Sequence, residues 1–288
     1  MVINHNLSAM YSSRIEGINS KNLQSTMEKL SSGERINSAK DDAAGTVISA
    51  RMNVQLEGNQ ICQNNIQNAN SLLSTAEGNI DVVLDNVTRI RDLTLQAKSG
   101  TYSTDEIGAM QKEVKERLAE IDRVSNSAKF SQLSLFEDDT IKGSGITFQV
   151  GQNADATNKT DNVITANQDI FGSLKFSALT KVDGAFNLAE ISSGSYTDFN
   201  TALTKLDSAI TNLTGRKSLI GSAQARLTSA LDTLTTQYTN LSSAKSIITD
   251  SDIASEASKF TQNQILQQVS TSLLAQANQA PSVALSLV

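Results

Sequence analysis

Few residues in this chain could do chemistry, and they are scattered. There is one histidine, His5, and one cysteine, Cys62. A zinc centre needs several Cys and His ligands close together. A hydrolytic triad would have to recruit His5, near a chain end expected to move. Cys62 reads as a small core residue, and a lone cysteine forms no internal disulfide and leaves the compartment open. Two acidic runs remain. Ser38, Asp41 and Asp42 precede a long periodic stretch, where acceptors satisfy free N–H groups at a helix start and negative charge meets the positive end of the dipole. Glu137-Asp138-Asp139 reads as a solvated turn rather than a cation site. The expectation is a protein without catalytic residues, cofactor or metal.

The periodic elements carry more information. One track runs Cys62, Ile66, Ala69, Leu73, Ala76, Ile80, Val83, Val87, Ile90, Thr94, Ala97, with spacings that alternate four and three. A second runs Phe199, Leu203, Leu206, Ile210, Leu213, Lys217, Ile220, Gln224, Leu227, Leu231, Leu234, Tyr238, Leu241, Lys245, Ile248. Apolar residues every 3.5 positions form a narrow helical stripe that needs a partner helix. Helices over about Ala43–Lys98 and Phe199–Thr249 would be roughly 75–85 Å long at 1.5 Å per residue. A compact chain of this length has a radius of gyration of only about 19 Å. An elongated, mainly α, antiparallel long-helix coiled-coil bundle is expected, its seam lined by Ile66, Leu73, Ile80, Val83, Val87, Ile90, Leu206, Ile210, Leu213, Leu227, Leu231, Leu234 and Leu241.

Composition permits this. The chain has 288 residues and a single proline, Pro281, where average usage gives roughly fourteen; proline breaks helix interiors. Net charge is −6, aromatics are 4% and there is no Trp, an unsuitable surface for nucleic acid. The start, MVINHNLSAM, lacks the basic and apolar regions of a secretory signal, and no run approaches a membrane span. A cytosolic protein, or one exported by a route that does not read such signals, is expected.

Residues 3–30 carry a less regular helical stripe. Gly33 suits a left-handed helix end, Lys98-Ser99-Gly100 breaks the first long helix, and Ser103-x-x-Glu106 reads as a capping box opening a third helix through Ile107, Met110, Val114, Leu118, Ile121 and Val124. The segments expected are 1–40, 41–128, an insert at 129–198, 199–250 and 251–288. Within the insert Ile146, Phe148 and Val150 alternate as in a strand, with Asn162–Thr165 as a candidate partner. From Phe260 to Val288 there is no charged side chain; the many amides argue against a membrane span, and an uncharged amphipathic segment can pack against copies of itself without like-charge repulsion.

With those motifs in view, the chain resembles bacterial flagellin. Leu30 to Met52, LSSGERINSAKDDAAGTVISARM, is similar to that family's N-terminal signature; RKSLIGSAQARL, Arg216 to Leu227, to its C-terminal rod motif; and QILQQVSTSLLAQANQAPSVALSLV, Gln264 to Val288, to its terminal segment. The resemblance covers about 1–135 and 200–288. Glu34, Ser222 and the final Leu287-Val288 depart from the usual Leu, Ala and paired leucines.

The resemblance implies an extracellular filament subunit for motility, exported through the flagellar type III apparatus without a cleaved signal peptide. Its partners would be copies of itself and the export chaperone, cap and junction proteins. The terminal segments, through Leu7, Ile15, Ile18, Leu23, Leu30, Phe260, Leu266, Val269, Leu273 and Leu274, would line the filament core. Stripes that cannot be buried within one subunit make heterologous contacts, which build open helical filaments. Thr88-Arg89-Ile90-Arg91-Asp92-Leu93, with Glu113, resembles the segment read by the flagellin-sensing innate receptor of a host; Arg89 and Glu113 would supply polar contacts and Leu93 an apolar plug. Arg89 and Leu93 lie off the seam track and are expected to be free for a neighbouring subunit. Without the resemblance, Arg89 and Glu113 read as an exposed or interhelical ion pair. The competing assignment is a hook–filament junction protein, whose Asp pair is usually followed by proline; here Asp42 is followed by Ala43. A His-Glu-x-x-His peptidase insert has no counterpart.

Overall fold

The computed structural model describes residues 6–99, 101–137, 141, 144–152, 162–180 and 196–285. His5, Asp138, Asp139, Leu287 and Val288 lie outside them. The helices are α1 (Leu7–Ser32), α2 (Ala43–Lys98), α3 (Thr104–Ser127), the short α4 (Phe176–Thr180), α5 (Tyr196–Thr249) and α6 (Ile253–Leu285). Two antiparallel hairpins stand between α3 and α4: β1 (Lys129–Phe130) with β2 (Leu133–Ser134), and β3 (Ile146–Gln149) with β4 (Val163–Ala166). The second pairs Gln149 with Val163 and Ile146 with Ala166. The protein is mainly α with a small β-containing insert. The periodicity places the long helices closely, α5 starting three residues before the expected Phe199.

The termini of these helices follow their sequences. Gly33 adopts φ +74 and its N–H returns to the Lys29 carbonyl, the left-handed end that glycine reaches without Cβ strain. Ser103 and Glu106 form the expected reciprocal capping box at α3. The Asp42 carboxylate accepts from the Ala44 N–H at 3.0 Å. Asp41 instead accepts from the Ser38 N–H and hydroxyl, both at 3.0 Å, and the hydroxyl bond holds its carboxyl below the usual range. Gly45 packs beneath this turn: a Cβ there would stand 2.5 Å from both Asp42 Oδ2 and Ile36 Cδ1.

The chain divides into two units, residues 58–237 and residues 1–57 with 238–288. In the first, α2 and α5 run antiparallel. Lys98 bonds Asn200, Arg91 pairs with Asp207, Lys217 with Asp81, and Gln224 with Ser74. Each advance along α2 is matched by an equal retreat along α5, so these four polar pairs report one register. Between them lies the seam: Ile66, Leu73, Ile80, Val83, Val87, Ile90, Leu206, Leu213 and Leu227 are fully buried and Leu234 nearly so. Ile210 and Leu231 are half-buried against the same cluster. Leu241 belongs to the other unit and is half-buried there. Lys217 and Gln224, the polar members of the track within residues 58–237, do not break the seam because each reaches an α2 partner at its edge.

The insert is tied to the helices by polar clasps. Glu137 accepts from Ser125 at 3.0 Å, Ser173 at 2.9 Å and Lys175 at 3.1 Å. It is therefore a half-buried hub between the end of α3 and the segment leading to α4, not the solvated turn expected for it; three donors replace the water it leaves. Arg216 donates to the Gly172 carbonyl and to Asn212, and burial pushes its guanidinium below its ordinary value, partly offset by Asp169.

Substitutions along α5 should rank by these environments. Leu227→Ala, in the closed seam, should cost about 2–5 kcal/mol through lost burial and a residual cavity. Lys217→Leu removes only an exposed-edge pair worth at most about 1 kcal/mol and adds apolar cover. Thermal unfolding of the two variants should give the lower Tm for Leu227→Ala; the reverse order would contradict the seam.

Candidate assembly surfaces

The unit formed by residues 1–57 and 238–288 is built differently. Its α1 and α6 lie antiparallel, and polar contacts join them. Asn6 Nδ2 donates to the Ala277 carbonyl at 2.8 Å, Asn19 Nδ2 to the Leu266 carbonyl at 3.3 Å, and Asn263 Nδ2 to the Thr26 hydroxyl at 3.1 Å. The side chains buried in this pair are Thr26, Glu256 and Ser270, with Glu256 held by Lys259 at 3.0 Å. The ends of α1 and α5 are tied as well. The Arg35 guanidinium caps the Ile248 carbonyl at 2.7 Å, and backbone bonds run from Arg35 to Thr249 and from Ser251 to Gly33.

Many large apolar side chains of this unit stay exposed. Of the large hydrophobics exposed among the described residues, fifteen of twenty lie in this unit, though it holds the minority of the chain. Leu7 is 71% exposed, and Ile18, Leu266, Val269 and Leu273 are also exposed. Ile15, Leu23, Leu30, Phe260 and Leu274 are half-buried. Tyr11, Ile15, Leu273 and Ala277 line an apolar cleft between α1 and α6. Exposed large apolar side chains gathered on one helix pair are the mark of an interaction site.

The second surface lies on α2 and α3. Arg89 donates twice to the Glu113 carboxylate, at 2.9 and 3.3 Å. Arg117 donates to the same carboxylate at 3.0 Å and to Asn86 at 3.1 Å. The hydrogen bond from Arg89, then that from Arg117, holds the Glu113 carboxyl below its ordinary value, and the same bond raises Arg89. All three side chains remain about one-third or more exposed, so solvent screens the pair.

Leu93 is not the free apolar group expected from the seam track. It is 2% exposed and belongs to the chain's own core. The reason is a second flank of α2. Leu72, Asn86 and Leu93 are buried at positions a multiple of seven apart, and the Asn86–Arg117 and Arg89–Glu113 bonds tie α3 along that flank. The sequence signal was present in the spacing of Leu72 and Leu93, but two asparagines, Asn79 and Asn86, interrupt it and hid it.

Among the described residues there is no cluster of His, Cys, Asp and Glu able to hold a metal, and no helix is long and apolar enough to cross a membrane. What the described residues do present is helical surface whose exposed large apolar side chains gather in residues 1–57 and 238–288. Residues 3–140 match the bacterial flagellin N-terminal helical region and residues 203–288 the C-terminal helical region. A flagellar filament 30.7 kDa core protein of Treponema maltophilum is 36% identical over 283 residues, with 96% of each chain covered. A flagellin of Halalkalibacterium halodurans is 36% identical over 293 residues, with all of both chains covered. A solved Vibrio parahaemolyticus protein assigned as flagellar hook-associated aligns with a TM-score of 0.58 at 18% identity, over 72% of this chain and 99% of that one; that likeness is of fold alone and gives the junction assignment no further support. The chain belongs to the bacterial flagellin family. It is a structural subunit that polymerises with itself into the extracellular flagellar filament.

The clasp makes a pH prediction. A carboxyl whose folded value is lowered stabilises the fold above its ordinary value and loses that contribution as pH falls through the folded value. The ordinary value here is 4.5. Lowering pH from about 6 to about 3 should therefore reduce Tm, and Glu113→Gln should show a smaller drop than wild type over that window. Equal drops would mean that the clasp contributes nothing.

Proposed function

We propose that α1 and α6 are the surface by which copies join in the filament's inner core, through Leu7, Ile15, Ile18, Leu23, Leu30, Phe260, Leu266, Val269, Leu273 and Leu274. The exposed apolar side chains of this helix pair carry the reading: Leu7, Ile18, Leu266, Val269 and Leu273 meet solvent, while Ile15, Leu23, Leu30, Phe260 and Leu274 are only half-buried. Fully burying one leucine removes roughly 1.5–3 kcal/mol of unfavourable exposure, and a polymer repeats that gain at every subunit. The absence of charge from Phe260 onward lets identical segments approach without Coulomb repulsion.

The seam of α2 and α5 would keep the subunit folded before it joins, with the insert facing outward. Export through the flagellar type III apparatus without a cleaved signal peptide fits this reading, as do an export chaperone for the apolar terminal helices and cap and junction proteins at the filament's ends. A host innate receptor is a further partner in this reading. Its grip would rest on the Arg89–Glu113 pair at the surface of α2 and α3, since Leu93 is committed to the core.

Seeded growth tests the main claim. Removal of Phe260–Val288 should leave a soluble, largely helical monomer, because α2, α3 and most of α5 keep their seam, yet this monomer should fail to elongate filament fragments. Leu273→Glu, at an exposed position, should slow elongation with no change in monomer circular dichroism. Wild-type elongation by the truncated chain would refute the assignment.

A further inference from the structure

A cleft of about 640 Å³ opens between α5 and the segment 168–172 of the insert. Gln168, Asp169 and Gly172 stand on one wall, Asn212, Gly215 and Arg216 on the other, all within residues 58–237. The volume is that of a small-molecule site, and the polar lining calls for a polar occupant. Arg216 is the half-buried group at its centre. Its Nε donates to Asn212 Oδ1 at 2.8 Å and its Nη1 to the Gly172 carbonyl. A guanidinium has five N–H donors; the remaining donors of Arg216 have no acceptor among the described residues. The seat is built around this group, since a Cβ at Gly172 would stand 2.9 Å from Arg216 Nη2. Burial disfavours the guanidinium's charge, and a cation drawn out of water is stabilised by an anion placed against it. Asp169 is close enough to attract Arg216, yet the two make no ion pair among the described residues. Asp169 Oδ2 accepts instead from Asn167 Nδ2 at 3.0 Å. The cleft therefore holds one cation and one anion that do not neutralise each other directly.

We propose that this cleft binds a small zwitterion of the α-amino acid class, its carboxylate on the unused N–H groups of Arg216 and its ammonium toward Asp169. The two fixed charges select this occupant. A simple anion would be attracted by Arg216 and repelled by Asp169, and a simple cation the reverse. A molecule carrying both charges on neighbouring atoms gains from each. The guanidinium fork matches a carboxylate with paired hydrogen bonds, and the Gln168 amide adds a further donor and acceptor on the same wall. Gly215 keeps the α5 wall open: a Cβ placed there would meet nothing within 4 Å. This site goes beyond the filament role and uses none of the residues on which that reading rests.

Amide-detected NMR titration of the full-length, nitrogen-labelled monomer tests the proposal. L-serine should shift the Gly172 and Gly215 resonances with half-saturation at roughly 1–10 mM, a range suited to so small a ligand. L-lactate, which lacks the ammonium, and L-serinamide, which lacks the carboxylate, should each need at least about tenfold more. Arg216→Gln should abolish the response to L-serine. Asp169→Asn should weaken L-serine by about tenfold and leave L-lactate no weaker. Gly215→Leu keeps both charges, suits a helix better than glycine and fills the cleft; the shift at Gly172 should vanish while the monomer Tm does not fall. Should Arg216→Gln fail to fold, Gly215→Leu still decides. No shift with L-serine at about 100 mM, a response to L-lactate as strong as that to L-serine, or an unchanged response in Gly215→Leu would each overturn the proposal.

Discussion

An apolar track with a period of 3.5 can be buried along its whole length only against another helix running beside it. That constraint organises residues 58–237. The α2 and α5 seam fixes which side chains are inside, and the polar pairs at its edge fix the register. Lys217 shows how the two conditions meet. On the track it would be a buried charge, a costly state without a partner. Its stem crosses the seam edge and its ammonium reaches Asp81 at 2.6 Å, with Glu77 and Asp85 adding to the favourable field. A slip of the pairing by one heptad would separate Lys217 from Asp81, Arg91 from Asp207 and Gln224 from Ser74 together. The leucines and isoleucines supply the burial; the polar residues make one alignment preferable to its neighbours.

The α1 and α6 pair obeys the same hydrogen-bonding rules but leaves more of its large apolar side chains exposed. Asn6, Asn19, Thr26 and Asn263 satisfy one another and the backbone across the helices, so no polar group is left stranded at that contact. Each such hydrogen bond is worth about 1 kcal/mol net and orients the two helices. Under the proposed assembly, the apolar side chains left exposed on this pair would be buried when copies meet, and the α2–α5 seam would not need to open.

Much of this was legible because each signal is local. The four–three spacing, the Ser103–Glu106 capping box, Gly33 at the end of α1 and the alternation of Ile146 and Phe148 depend on residues within a few positions of one another. What was not legible depends on contacts distant in sequence. Glu137 looked like part of a solvated acidic turn because its partners Ser173 and Lys175 lie more than thirty residues away. Gly45 looked like one more small residue near a helix start; its need to be glycine appears only when Ile36 folds over it. Arg216 carried the family motif, but nothing in that motif said that the Gly172 carbonyl would receive it.

Leu93 gives the sharpest instance, and its correction changes the chemistry assigned to its neighbours. Counting one heptad track per helix assumes one partner per helix. α2 has two, because α3 folds back along a second flank where Asn79 and Asn86 interrupt the apolar pattern. Asn86 belongs there because its amide donates to the Val82 carbonyl and its oxygen accepts from Arg117, so the interruption is itself an interhelical contact. Once Leu93 is inside, the surface at this place consists of Arg89, Glu113 and Arg117. These form a closed set, with two guanidinium groups sharing one carboxylate and the second also engaging Asn86. Any partner that uses this surface must compete for or extend an ion pair already made, rather than insert an apolar group into an open site. Affinity here would then come from charge geometry and respond to ionic strength, whereas the part of α6 from Phe260 onward, which has no charged side chain, would act by apolar burial and be far less sensitive to salt.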